Sequence, residues 1–543
     1  MIIVDPVVLG DVPFTRASPK WVYDRTGTLV QVPANTLGVT YDPADLSKAP
    51  WALLELESKN LFRFSEQFDN NSAWGGSNIG TGVDAAVAPN GAVTADRLIA
   101  SAFNGAHYRD QEVAGQFSDG EFYTYSVYLK ADTLSRARLD MYYAVGSTGG
   151  YTATFDLASG LLQAKGPDVQ AAGIEVLPGG WRRCWIVGVV AFAAAYPTKL
   201  LSRVLLLRAD TATSWMGSGN EGLFAWGAQL VRGDKPGSYI PTTSAAATRA
   251  ADVVGAGAGL IYSNVLMVEP PYNVATTYAK DAAVYDPATK LVYWSMVAGN
   301  VGKALSDPVF WNKRTAINRW AMFDDRNSTQ TSNPEEIVSV FSAQAITQGL
   351  FAGAMDASEV RVSMTHPTRG LVYSETKSLV LPRSGSSFFG WCFNRLRLRT
   401  WFLTLKLPVF ANGLVTVTIK KPGGVPKCGM CLLGPTIDVG LSLMGLSTEL
   451  KDYSTTTFFT DGSSSTVPRG FSKKMSVDLL IDSDRVETIE DDLIKRRQKT
   501  LVFLGSTMRG DTMLVGRFSS LRKVIDSFPR SKMALQIDGV LSQ

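Results

Sequence analysis

Apolar and polar residues alternate with period two through much of this chain. In Tyr123–Lys130, one face carries Tyr123, Tyr125, Val127 and Leu129, and the other Thr124, Ser126, Tyr128 and Lys130. That alternation predicts a half-buried strand. Trp181–Val190 and Arg203–Arg208 read as further strands, with turns at Gly146–Gly150 and Pro178–Gly180. Strands at this spacing without intervening helices predict a β-sandwich over residues 59–252. Strand patterns return over 313–425, where Val415–Lys420 alternates cleanly.

The pattern breaks in three places. Over 1–58, Pro6, Pro13, Pro19, Pro33, Pro43 and Pro50 interrupt anything longer than a short strand. Such a segment is expected to run extended across a neighbouring module or a partner chain. Residues 253–312 read as an Ala/Gly-rich linker and a small aromatic-rich module holding Tyr278, Tyr285, Tyr293, Trp294, Phe310 and Trp311. Residues 426–543 mix α and β. A strand is expected at Met475–Ile481, then a helix over 485–498, then strands at Leu501–Leu504, Met513–Phe518 and Met533–Ile537. Asp484 and Glu487 have the spacing of a capping box. Val486, Ile489, Leu493 and Ile494 form the helix's apolar stripe, and Lys495, Arg496, Arg497 and Lys499 suit its negative end. The fold class is therefore mainly β and multi-domain: jelly-roll or β-sandwich modules followed by a small α+β docking domain.

Composition narrows the function classes. At 543 residues several cores are needed, and 45% hydrophobic with 19% charged residues is the balance of a folded chain. A net charge of +4 is too weak to point to nucleic acid. The basic runs Arg395, Arg397, Arg399 and Lys495, Arg496, Arg497 read as a solvated face or a docking patch. The start of the chain lacks a basic n-region, and the longest apolar stretch, Ile186–Tyr196, falls far short of the ~20 residues of a membrane helix. The expectation is a soluble protein made in a cytoplasm.

Candidate chemistry is sparse. Cys184, Cys392, Cys428 and Cys431 give no disulfide framework. Cys428 and Cys431 form half of a zinc pattern whose other half is missing, so reduced thiols on a turn are expected, with no metal and no cofactor. A serine hydrolase needs a base, and only His107 and His366 exist. No phosphate-binding loop, dinucleotide fingerprint or metalloprotease motif occurs. Two carboxylates of a glycosidase could be drawn from Asp324–Asp325, Glu335–Glu336 or Glu490–Asp492. Saccharide binding needs a flat aromatic face with a few polar groups. Trp74, Trp215, Tyr293 and Trp294 could supply one, and Tyr285, Trp294 and Trp311 make the best cluster. Trp181, Trp185 and Trp226 sit in strand patterns and read as core.

Several blocks carry a resemblance. Arg16–Ser18, Tyr23–Asp24, Gly27, Tyr41–Pro43, Leu53–Glu55 and Asn60–Leu61 look like an N-terminal signature of phage and prophage tail proteins. They run on through Ser65–Asp69, Trp74, Ala88–Gly91, Thr94–Leu98, Tyr125–Ala131, Phe155–Leu157, Gly180–Cys184, Leu223–Leu230 and Ser238–Thr243. Together, over about 16–252, they resemble the carbohydrate-binding-like jelly-roll module of phage tail and fibre proteins. Asn318–Asp324, Ser328–Thr331 and Phe471–Met475 resemble phage structural proteins more loosely. The unit at 278–311 resembles small chitin-binding modules, but Val297 and Ala298 stand where those carry exposed aromatics. The resemblance implies a non-enzymatic component of a tail tip, baseplate or fibre, residing in the virion after assembly in the bacterial cytoplasm. Its partners would be other tail proteins, further copies of itself in a trimer- or hexamer-related assembly, and host-surface glycan. A tail-associated polysaccharide-degrading enzyme is the alternative.

Overall fold

The computed structural model describes residues 1–7, 9–115, 117, 120–143, 150–190, 199–342, 347–381, 393, 397–410, 412–506, 509–524 and 529–541. The expected turn at Gly146–Gly150 falls, but for its last residue, outside them, as do Cys392 and Arg395. The chain is mostly strand and divides into two compact units, Pro13–Gly255 and Met1–Val12 with Ala256–Gln543.

The unit Pro13–Gly255 is a sandwich of two six-stranded antiparallel sheets. The first runs in the order Ile79–Val87, Val93–Ala100, Gly222–Arg232, Phe122–Ala131, Trp181–Val189, Ala171–Val176. The second runs Leu161–Lys165, Tyr151–Asp156, Arg136–Tyr143, Lys199–Leu207, Tyr108–Ala114, Gly75–Ser77. Tyr123, Tyr125, Val127 and Leu129 enter the core between the sheets, as their alternation requires, against Leu139, Met141, Val204 and Leu206.

The other face of Phe122–Ala131 departs from expectation. Thr124, Ser126 and Tyr128 are fully buried, so the strand is covered on both sides. The cover is the proline-rich segment: Trp21, Tyr23 and Leu29 pack with Tyr128, Trp181, Trp226 and Tyr239 in a second core. Gly27 makes the close approach possible. Its φ is +78°, and a methyl group there would lie 2.7 Å from the Pro178 ring.

This covering segment is anchored by buried charge. Arg16 pairs with Asp252 at 3.1 Å, and Lys20 meets both Asp252 and Glu55, the latter at 3.0 Å. Arg249 reaches Glu55 at 3.2 Å. The Ser238 N–H donates to Glu55 at 2.7 Å, and the Glu55 N–H donates to Asp252 at 2.8 Å. Burial alone would raise the Glu55 carboxyl, but Arg249 and Lys20 outweigh it and hold it below its ordinary range.

In the other unit, one six-stranded sheet runs Gly10–Asp11, Gly259–Ser263, Glu336–Ser342, Leu414–Lys420, Glu359–His366, Gly370–Ser378. Its apolar face shares a core with the three-stranded sheet of Phe402–Thr404, Gly349–Gly353 and Met430–Gly434. The C-terminal sheet runs Thr436–Asp438, Ile2–Val4, Leu501–Ser506, Arg509–Val524, Arg530–Gly539, Phe471–Asp482, Leu441–Ser442, with Ser447–Asp452 also on Phe471–Asp482. The segment expected to run extended over 1–58 is thus divided. Ile2–Val4 is an inner strand of this sheet, because Ile3 fills its core completely.

The helix is Val486–Lys495 and seats Val486, Ile489 and Leu493 on this sheet. Two details differ from expectation. The residue preceding the helix is Arg485, in αR backbone and with no side-chain cap, so Asp484 and Glu487 form no capping box. Ile494 is half exposed, because the stripe narrows to one residue per turn at that end.

Removing one member of a buried ion network strands the others. Asp252→Ala is expected to destabilise the unit Pro13–Gly255 by about 3–5 kcal/mol, read as a fall in its chemical-denaturation midpoint. A loss below about 1 kcal/mol, the range of an exposed pair, would show the network to be idle.

Asp96 is fully buried and accepts N–H bonds from Phe68 at 2.7 Å and from Asp84 at 3.1 Å, where the edge strand bulges. Burial nonetheless pushes its carboxyl up to about 6. In the unfolded chain the value is about 3.9. Between these values the folded state binds more protons, so stability falls as pH rises through about 6. Asp96→Asn should flatten that slope in denaturation curves taken across it. An unchanged slope would assign the pH dependence elsewhere.

Candidate binding face

Of the expected aromatic cluster, Tyr285 and Trp294 share one face as diagonal neighbours and Trp311 falls on the other. Tyr285, Trp294 and Trp311 lie on the small sheet of Ala283–Tyr285, Leu291–Ser295 and Trp311–Ala316. Trp294 stands opposite Asn312, and Ser295 opposite Trp311, so period two sends the two indoles to opposite faces. Trp311 is buried with Tyr278, Val284 and Tyr293 and donates its indole N–H to the Lys303 carbonyl at 3.1 Å. Tyr285 is half-buried against the large core. Trp294 is 40% exposed, with the Arg314 guanidinium 4.2 Å from its ring centroid. Trp74, Trp215 and Tyr293 are core residues.

Several other candidates are engaged within the fold. His107 is buried, and its two ring nitrogens face the Asn78 and Trp215 carbonyls at 2.7 and 3.1 Å. Cys428 and Cys431 are interior. Burial pushes the Cys428 thiol up to about 12 and raises Cys431 as well. On the helix, Glu490 pairs with Lys523 at 2.6 Å and Asp492 with Arg496 at 3.2 Å.

A different set of residues does converge, on the outer face of the second sheet of the sandwich. Ala137, Leu139 and Met141 point into the core, so Arg136, Arg138, Asp140 and Tyr142 point away from it. The register builds three rows across the strands: Tyr108, Leu205, Arg138; Asp110, Arg203, Asp140; Glu112, Leu201, Tyr142. The Arg203 guanidinium lies 3.7 Å from the Tyr108 ring centroid and 5.4 Å from that of Tyr142. It faces Asp110 at 3.6 Å, beyond a closed hydrogen bond. Burial raises the Asp110 carboxyl, and Arg203 opposes the rise.

Arg138 grips Asp140 through two bonds, at 2.6 and 3.0 Å, and Asp140 is fully buried. Glycine is required beside Asp110. A methyl group at Gly75 would come within 2.7 Å of its Oδ1, and no side chain of that strand residue covers the carboxylate. The face therefore carries the partly exposed rings of Tyr108 and Tyr142, the guanidinium groups of Arg138 and Arg203 and the carboxylates of Asp110 and Glu112, over a buried Leu205, at spacings set by the sheet. Aromatic rings beside a few fixed polar groups can take up an amphipathic ligand. Sequence reasoning missed this face, because strand pairing alone assembles it. Tyr108, Asp110 and Glu112, and Arg136, Arg138, Asp140 and Tyr142, recur every second residue, but the alternation does not say that they share a face.

No family model matches this chain, and no curated protein matches it. Among solved structures, it is similar to the enzymatically active domain of tailspike protein 4 of bacteriophage CBA120. The identity is 15% and the TM-score 0.21, over 32% of this chain and 21% of that one. It is also similar to vicilin from Capsicum annuum, at 9% identity and a TM-score of 0.09, over 64% of this chain and 84% of that one. Likenesses of this size carry no argument about fold or function.

The buried thiols give a direct check. At neutral pH, iodoacetamide should leave Cys428 and Cys431 unmodified in the native chain and label both in denaturant. Native labelling at either position would contradict their placement.

Proposed function

We propose that this chain is a non-enzymatic structural component of a phage tail tip, baseplate or fibre, and that it attaches the tail to host-surface glycan. The observation that carries the attachment is the ladder on the outer sheet face, where Arg203 lies between Tyr108 and Tyr142 beside Asp110. The virion setting is supported by the ordered sequence blocks over 16–252. Within it, the partners are other tail proteins, further copies of the chain and the glycan itself.

Binding is favoured over hydrolysis at this face. Glycoside cleavage needs two carboxylates that can both reach the sugar. Asp140 is sealed beneath Arg138, and Glu112 is held by Lys199 at 2.7 Å, so neither stands ready to act with Asp110. Several copies in one tail would raise a weak single-site affinity through effective concentration.

The test is a glycan array probed with the intact chain. Arg203→Met and Tyr142→Ala should each weaken the bound signal by about ten- to a hundredfold, the worth of a charge-assisted hydrogen bond or an aromatic contact. Binding is read below each variant's thermal transition, because Arg203 and Asp110 are only 20% and 14% exposed and Arg203→Met leaves Asp110 without its cation. Undiminished binding by both variants would remove this face from attachment, and release of reducing ends from bound polysaccharide would replace attachment by hydrolysis.

A further inference from the structure

The C-terminal sheet ends in an edge that matches itself. Ser447–Asp452 pairs on one flank with Phe471–Ser476, and among the described residues no strand pairs with its other flank. All six of its residues are exposed, and Leu450 is 58% exposed. Neither Glu449 nor Lys451 forms an ion pair among the described residues, although Lys451 lies 5.2 Å from the Tyr453 ring centroid. Lys474, opposite Glu449, is engaged with Asp538 at 3.3 Å.

An exposed edge invites strand addition unless its sequence opposes it. Here the sequence selects a partner and a register. When two copies of one strand join antiparallel about a two-fold axis through a continuous sheet, opposed residues must share a face. The axis then passes through a residue, never between two. Centred on Glu449, the pairing would oppose glutamate to glutamate; centred on Lys451, lysine to lysine. Centred on Leu450, it places each Glu449 opposite the other copy's Lys451, twice, with leucine against leucine. Opposite charges directly across a ladder stabilise it, and like charges destabilise it.

We infer that the free edge of Ser447–Asp452 is a two-fold contact between copies of this chain, in the register centred on Leu450. The occupant is a second copy because the charges complement themselves, which no unrelated strand is bound to do. The contact is isologous, so it closes as a dimer and would also join two rings of a dihedral assembly. Six residues a side make it small, and by itself it belongs with the weaker associations. It is independent of saccharide binding, which concerns the other unit.

The test is sedimentation velocity on the full chain over a range of concentrations. The wild type should associate. Glu449→Lys and Lys451→Glu should each weaken association about tenfold or more, since either change sets like charges across the axis twice. An equimolar mixture of these two variants should associate again, because every cross-axis pair is then opposite in sign. The double exchange Glu449→Lys with Lys451→Glu should likewise regain wild-type behaviour. These side chains are exposed, so an unchanged thermal transition serves as the control for folding. A wild type that stays monomeric, single variants that associate undiminished, or a mixture no stronger than its components would each overturn the inference.

Discussion

The sandwich depends on five charges buried together. Arg16, Lys20 and Arg249 face Glu55 and Asp252 in an interior from which water is largely absent, and backbone groups of Ser238, Leu53 and Glu55 complete the bonding. Such a network contributes less net stability than apolar packing of equal volume would, because desolvating each ion is costly. What it supplies is location. Hydrophobic contacts alone would let a proline-rich segment slide over the sheet. Ion pairs between residues more than two hundred positions apart fix its path. Trp21, Tyr23 and Leu29 are thereby laid over Tyr128 and Trp226, and a face that alternation marks as half-wet becomes a second core.

This arrangement makes the two faces of the sandwich unequal. The first sheet is covered on both sides, whereas the outer face of the second is partly exposed: Glu112 is exposed, Arg203 and Asp110 are mostly covered, and Asp140 and Leu205 are buried. Polar and aromatic residues on the covered side serve the fold: Tyr23 and Tyr128 bond to each other at 3.2 Å, and Asn60 bonds to the carbonyls of Ala228 and Ile240. Those on the open side have no segment to hold. Arg203 is stacked between rings and loosely faced by Asp110, which is an arrangement ready to exchange solvent for another polar ligand.

Much of the fold was legible in the sequence because burial follows period two. The strands at 123–130, 181–189 and 415–420 and the helix near 486 stand where alternation and the apolar stripe place them. The resemblance blocks also mark structure: Arg16, Glu55, Asn60, Ser65, Asp96 and Tyr239 all fall within them, and all make interior polar contacts. What could not be read was pairing order. Alternation tells which side of a strand is wet, but it does not tell which strands lie side by side. Trp311 is parted from Tyr285 and Trp294 for that reason, since the small sheet stands between them. The ladder of Tyr108, Arg203 and Tyr142 was invisible for the same reason, because its members are brought together only by the register of three strands distant in sequence.

The same registers fix the groups of the proposed binding face. A general acid or base must exchange protons, and so must keep solvent access and a conformation it can relax into. Asp140 has neither: two bonds from one rigid guanidinium fix both its oxygens, and the sheet fixes Arg138. The neutralised pair instead stiffens the floor on which Arg203 and the two tyrosines stand. Stiffness favours recognition, because groups already in position lose little freedom when a ligand arrives. In the attachment we propose, such a face would meet a hydroxyl-rich surface with groups already in place.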